Sequence, residues 1–355
     1  MKKIIFYILF GLVFIVSPAL AADQTNTENL QLNRSNSHHT TGAITISDTG
    51  TYTNLGTINI HMRIEAIVTG NPLLTLYGIK HGGSVGNKRF LNQGSATITG
   101  RARYDSLYGI YLGDAGNNEV INSSGAHIDI STRQEGIYLG NGNNLVDNQG
   151  SLTIYTSVAE GIEMGSGNDI FRNSGDHYVS ITSAGHSIYL GNGDNLFENT
   201  GNSLNITTTG SGSYGILSGT GDDNLTNSGV LNINAEAQGI VLGEGNDILT
   251  NSGIITIDAE DEDGIDFGDG NNILTNTVTG DINITSGDNG ITFGSGDDNL
   301  TNSGIITIDA EDEYGIYFGD GNNIFNNTAG DINITSGSAG DGIAFGSGAD
   351  SLISA

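Results

Sequence analysis

The chain has 355 residues, with 55 glycines, 2 prolines and neither cysteine nor tryptophan. Forty acidic residues against 11 Lys plus Arg give a formal charge of −29, which argues against nucleic acid as a partner, because phosphate binding needs clustered cations. Abundant glycine without a Gly-X-Y period excludes collagen, and the lack of cysteine excludes disulfides, lipoprotein attachment and thiolate chemistry.

Residues 1–21 read as a secretory signal peptide. Met1-Lys2-Lys3 is the basic region, Ile4 to Val16 the apolar core and Ala19-Leu20-Ala21 the cleavage site. The apolar run is shorter than the roughly 20 residues a membrane span needs, and no second run approaches that length. Export is therefore expected, to the cell surface or the extracellular space, or to the periplasm where no secretion partner exists. Residues 22–41 are polar and unpatterned and are expected to be a linker or N-terminal cap. Residues 42–355 are expected to form one elongated repeat domain.

The repeat reads Gly-Ile-x-(Leu/Phe/Met)-Gly-x-Gly-(Asn/Asp)-(Asn/Asp), then an apolar residue with Asn two places later, then Ile-x-Ile. Gly109, Gly136, Gly161, Ser187, Gly215, Gly239, Gly264, Gly290, Gly315 and Gly342 open successive units, about 26 residues apart. Each unit holds three short stretches of period two, such as Ile265/Phe267, Leu274/Asn276 and Ile282/Ile284, the pattern of strands with one buried face. The fold class predicted is all-β, a single-stranded parallel β-helix with three short strands per coil. One coil buries too little to fold by itself, so coils must stack. The recurring Asn is expected at an inward corner, with its amides hydrogen-bonded up the stack. Counting it at 54, 92, 122, 148, 173, 199, 227, 251, 276, 302 and 327 gives eleven coils. Phe345 to Leu352 repeats Phe293 to Leu300 and the sequence stops inside a coil at Ala355, so end-to-end self-association or a longer parent chain is expected.

From Asn173 onward there are 27 Asp plus Glu and no Lys or Arg. Asp258 to Asp263 and its copy Asp309 to Glu313 form an acidic edge two coils apart, read as a solvated loop, a diffuse divalent site or a contact for a basic partner. Tyr111, Tyr138, Tyr189 and Tyr317 take the outward place in the first strand, an exposed row that either packs along the surface or contacts glycan or protein. The seven His show no metal-ligand spacing, and from Asn173 onward there is no Lys or Arg to serve as a lyase base. No enzyme activity is expected, with a carbohydrate hydrolase using paired carboxylates as the remaining catalytic alternative.

Five units carry Gly-x-Gly-x-Asp-x-apolar: Gly165 to Phe171, Gly219 to Leu225, Gly243 to Leu249, Gly294 to Leu300 and Gly346 to Leu352. This resembles the hemolysin-type calcium-binding nonapeptide, and the resemblance implies Asp169, Asp223, Asp247, Asp298 and Asp350 as Ca²⁺ ligands. The alternative is an Asx-Gly turn that satisfies local backbone amides. Over residues 42–355, units such as Gly264 to Asn276 and Gly243 to Gly253 resemble the passenger repeats of bacterial autotransporters. That resemblance implies a surface-displayed β-helix acting as an adhesin on host-cell or matrix protein or glycan. A passenger without its membrane β-barrel is expected, since no run of amphipathic spanning strands appears.

Overall fold

The computed structural model describes residues 24–26, 29–35, 41–46, 50–63, 75–81, 86–101 and 106–354. The expected signal peptide lies outside them. One coil shows the plan: Ile137–Tyr138, then Leu145–Asn148, then Ser151–Thr156. Each strand pairs in parallel and in register with its counterpart in the next coil, as Val146 does with Phe171 and Ile137 with Ile162. Three sheets result. The sheet of Leu145–Asn148, here the asparagine sheet, has 13 strands, and the isoleucine and tyrosine sheets, those of Ser151–Thr156 and Ile137–Tyr138, have 12 each. The molecule is a parallel β-solenoid, as the repeat predicts.

Period-two alternation becomes burial without exception in the central coils: Leu152 and Ile154, Ile162 and Met164, and Phe171 are all sealed inside. Phe267, Phe293, Phe318 and Phe345 stack along the axis, with centroids 4.6, 4.8 and 4.8 Å apart. The isoleucine sheet has a third inward place that sequence reading did not assign. Thr132, Thr156, Ser183 and Thr208 fill it, and each hydroxyl donates to a carbonyl of the following turn, such as Ala159 O at 2.6 Å. The chain then runs to the glycine that opens the tyrosine-sheet strand. A Cβ on Gly136 would overlap Ile154 Cγ2 and the Gly161 carbonyl oxygen. Where Ser187 replaces that glycine, its buried hydroxyl bonds Ser183 Oγ at 2.8 Å and Thr207 O at 3.1 Å.

The corner Asn row is a continuous buried ladder. Asn148 Nδ2 donates to Asn173 Oδ1 at 2.8 Å, Asn173 to Asn199 at 2.8 Å, and the pattern runs from Asn54 to Asn327. Two boundary expectations are corrected. Residues 22–41, read as linker or cap, contain strands Gln24–Asn26 and Asn29–Ser35, which pair in register with Tyr52–Asn54 and with Thr57–Arg63. The eleven-coil count likewise omits the first and last strands of the asparagine sheet, which end at Asn26 and Ser354. The first strands are hidden in sequence because the early coils carry long insertions, with 38 residues between Asn54 and Asn92 against 24 between Asn227 and Asn251, and the last escapes the count because Ser354 stands where the other coils have the corner Asn.

Candidate functional site

The turn from the tyrosine sheet to the asparagine sheet carries both Asx positions of the repeat. The first is outward, and its Oδ1 accepts from the coil that follows: Asn143 N donates to Asn117 Oδ1 at 3.0 Å and Asp222 N to Asp194 Oδ1 at 3.1 Å. The second is inward, and its Oδ1 accepts from the coil before: Asn144 N to Asp169 at 2.6 Å, Asp223 N to Asp247 at 2.8 Å, Asn323 N to Asp350 at 3.0 Å. The expected local Asx turn is thus corrected: these side chains satisfy backbone amides one coil away, where the turn offers no sheet partner.

All five predicted Asp stand in the inner row, interleaved with Asn118, Asn144, Asn195, Asn272 and Asn323. At the Asn positions Nδ2 finds backbone carbonyls, that of Leu139 at Asn118 and those of glycines elsewhere, as Asn195 does with Gly191 O at 3.0 Å and Gly193 O at 2.9 Å. At Asp169, Asp223, Asp247 and Asp298 the remaining oxygen, Oδ2, is buried with no hydrogen-bond partner. Burial pushes the Asp169, Asp223 and Asp247 carboxyls up to about 7 and Asp298 to about 6, against hydrogen bonds from the neighbouring coil that pull them down. An oxygen in the register of an amide nitrogen needs a proton or a cation between itself and the carbonyls. Asp350, in the last coil, is half-buried. Toward the N-terminus the row reaches Lys88, fully buried, whose N–H donates to Asn118 Oδ1 at 3.2 Å and whose Nζ donates to Ala115 O at 2.9 Å.

The two acidic runs lie at the corner between the isoleucine and tyrosine sheets, with Asp258, Thr285 and Asp309 in register. Asp288 of the intervening coil has its carboxyl pushed up by partial burial and by Asp263, Glu313 and Asp312. Asp263 itself is buried and accepts from Asn289 N at 2.9 Å and Nδ2 at 3.0 Å, a structural role.

The outward surface of the tyrosine sheet carries aromatic and acidic side chains. Strand register places Lys80, Tyr111, Tyr138, Glu163 and Tyr189 in one row. A second row, the residue before each opening glycine, aligns Tyr77, Tyr108, Glu135, Glu160, His186 and Tyr214 beside it. Sequence reading found the first row and missed the second, and it took the rings as exposed. They are half-buried because they pack on one another: Tyr77 stacks on Tyr108 at 5.0 Å, Tyr111 on Tyr138 at 4.7 Å and His186 on Tyr214 at 4.8 Å. The Tyr111 hydroxyl donates to Asp114 Oδ1. Glu135, Glu160 and Glu163 converge, with one carboxylate oxygen from each within 4.8 Å of the others. Partial burial and then the Glu135 and Glu160 charges push Glu163 up to about 7. Burial, with Glu135, Glu163 and Asp114 adding to it, pushes the Tyr108 and Tyr138 phenols up to about 12. In the interior, the recess bounded by Leu190, Phe197, Ile216 and Leu242 is too small for a water. No helix among the described residues is long and apolar enough to cross a membrane.

The chain matches no family model, no curated protein and no solved structure.

Proposed function

We propose that the chain is an exported, surface-displayed β-solenoid binding module, adhesin-like and of the autotransporter-passenger kind, with no chemistry of its own. The observation that carries this reading is the packed cluster of Tyr77, Tyr108, Tyr111 and Tyr138 beside the carboxylates of Asp114, Glu135 and Glu163 on one sheet face. Tyrosine offers large amphipathic contact area at small entropic cost, and rings already stacked on each other lose little more on binding. Binding of the whole chain to host cells, matrix proteins and a glycan array tests it. Tyr111→Ala/Tyr138→Ala is expected to weaken retention about tenfold with the circular dichroism unchanged. Retention that is absent in the parent, or equal in the variant, rejects the reading.

A second reading, calcium-dependent stability of the hemolysin-repeat kind, is favoured by the four orphan Oδ2 atoms. Asp169, Asp223, Asp247 and Asp298, with Asp350 at the end of the row, would hold Ca²⁺ beside glycine carbonyls, an all-oxygen set suited to a hard cation. The ion would neutralise carboxylates that burial now opposes. At about pH 8, calcium is expected to raise the melting temperature of the parent chain and to raise that of Asp223→Asn/Asp247→Asn by clearly less. A parent chain that calcium leaves unchanged removes this reading.

A further inference from the structure

We propose that the outer face of the asparagine sheet docks a second copy of this chain. The two solenoids lie face to face with their stacks antiparallel, about a two-fold axis that runs between Ile248–Asn251 and Ile273–Asn276. The inference goes beyond the binding-module reading and uses none of its tyrosines.

Charge marks the face. From Asn173 onward the chain holds 27 Asp plus Glu and no Lys or Arg. Yet the six strands Asn224–Asn227, Ile248–Asn251, Ile273–Asn276, Asn299–Asn302, Ile324–Asn327 and Ser351–Ser354 contain no charged residue. Register joins their outward residues into two rows. One runs Leu196, Asn224, Ile248, Ile273, Asn299 and Ile324, and the other carries Thr226, Thr250, Thr275 and Thr301. Ile248, Ile273 and Ile324 are 36, 38 and 41% exposed. Single exposed isoleucines are ordinary, whereas a row of them on a charge-free sheet marks an interaction surface.

The order of the strands selects the occupant. Along the stack they read Asn-Leu-Thr-Asn, Ile-Leu-Thr-Asn, Ile-Leu-Thr-Asn, Asn-Leu-Thr-Asn, which is a palindrome. A two-fold axis at its centre, parallel to the strands, sets Ile248 opposite Ile273 of the second copy, Asn224 opposite Asn299 and Leu196 opposite Ile324. Thr226 and Thr250 meet Thr301 and Thr275 in the same way. An isologous interface needs such a self-complementary patch, and facing Asn amides can pair donor to acceptor. No carboxylate meets another: Glu198 is paired with Arg172 at 2.6 Å and falls opposite Asn326. A basic partner would be drawn instead to the acidic turns and corner. The eight strands that the axis relates, Ile170–Asn173 through Ser351–Ser354, span about 38 Å along the stack and about 13 Å across, roughly 500 Å² per copy. A pair buries about 1,000 Å², the least that a specific interface needs, so the dimer is expected to dissociate on dilution.

Sedimentation of the full chain over a range of concentrations tests the proposal. A monomer–dimer equilibrium is expected, tighter at high salt, because salt screens the repulsion between two chains of charge −29. Ile248→Asp/Ile273→Asp is expected to weaken dimerisation about tenfold or more. Ile254→Asp/Ile305→Asp adds the same charge at isoleucines 41 and 45% exposed on the isoleucine sheet, and is expected to leave it unchanged. Orientation is read with a short bis-maleimide, in a chain that has no cysteine of its own. Thr226→Cys chains mixed with Thr301→Cys chains are expected to cross-link. Neither variant alone is expected to do so, since like positions lie three strands, about 14 Å, apart along the stack. Should Ile248→Asp/Ile273→Asp lose the native circular dichroism, this cross-linking pattern decides. A monomer at every concentration, or equal weakening by both Asp pairs, overturns the proposal. Cross-linking of Thr226→Cys with itself overturns the two-fold. A ladder of higher oligomers that both Asp pairs leave intact assigns association to the coil ends and overturns the docking face.

Discussion

At the residue scale the inner Asx row compares amide and carboxyl in one site. Asn195 places a donor against the Gly191 and Gly193 carbonyls, whereas Asp223 and Asp247 present a buried oxygen with no partner. In metal-free protein the carboxyl replaces the amide only by keeping its proton. The folded values near 7 stand above the unfolded value of about 4. Between those limits the unfolded chain releases protons that the folded chain retains, so the contribution is full below about pH 4 and is lost as pH rises through about 7. Each such displacement is worth at most about 4 kcal/mol. Chemical unfolding in a chelator is therefore expected to show stability falling across that window. Asp223→Asn/Asp247→Asn should flatten the slope and be the more stable form at about pH 8. A variant that unfolds more easily there, still without calcium, would contradict this account.

At the element scale each strand gains more from its neighbours along the axis than from its own coil. The asparagine sheet shows this most directly, because Asn199 accepts from Asn173 Nδ2 at 2.8 Å and donates to Asn227 Oδ1 at 2.8 Å. Asn199→Ala removes both bonds and a third from Asn199 Nδ2 to Val230 O, and strands two buried amide groups. A loss of about 2–4 kcal/mol, read as a lowered urea midpoint, is expected. Asn224→Ala, at the exposed outward end of the same sheet, should stay within about 0.5 kcal/mol. Comparable losses in the two variants would show that the ladder contributes no special stability. This ladder was legible in the sequence, since apolar-x-Asn recurs in nearly every unit and period two turns both residues inward. The third inward place of the isoleucine sheet was not, because Thr, Ser and Ala share it and none of them marks a buried position as an aliphatic side chain does.

At the scale of the whole molecule, the stack converts a one-dimensional repeat into faces. Side chains about 26 residues apart in sequence become neighbours on adjacent strands about 4.8 Å apart. The solenoid, its three strands per coil, its apolar interior and its corner amides followed from the sequence because periodicity is local and repeats many times. The first strands at Gln24–Asn26 and Asn29–Ser35 were not recognised, since irregular insertions break the period that marks the later coils.

What the sequence determined by itself is the set of residues that must face the axis, because burying an apolar side chain or an unpaired amide admits few solutions and each coil repeats the same one. What only the tertiary structure decided is which outward residues meet. Tyr108, Glu135, Glu160 and His186 hold one position of the repeat but share no residue type, and they meet Tyr138 and Glu163 only through strand register. The outward face is free of the packing constraint that makes the core repetitive, so its residues vary from coil to coil and their grouping appears only in three dimensions.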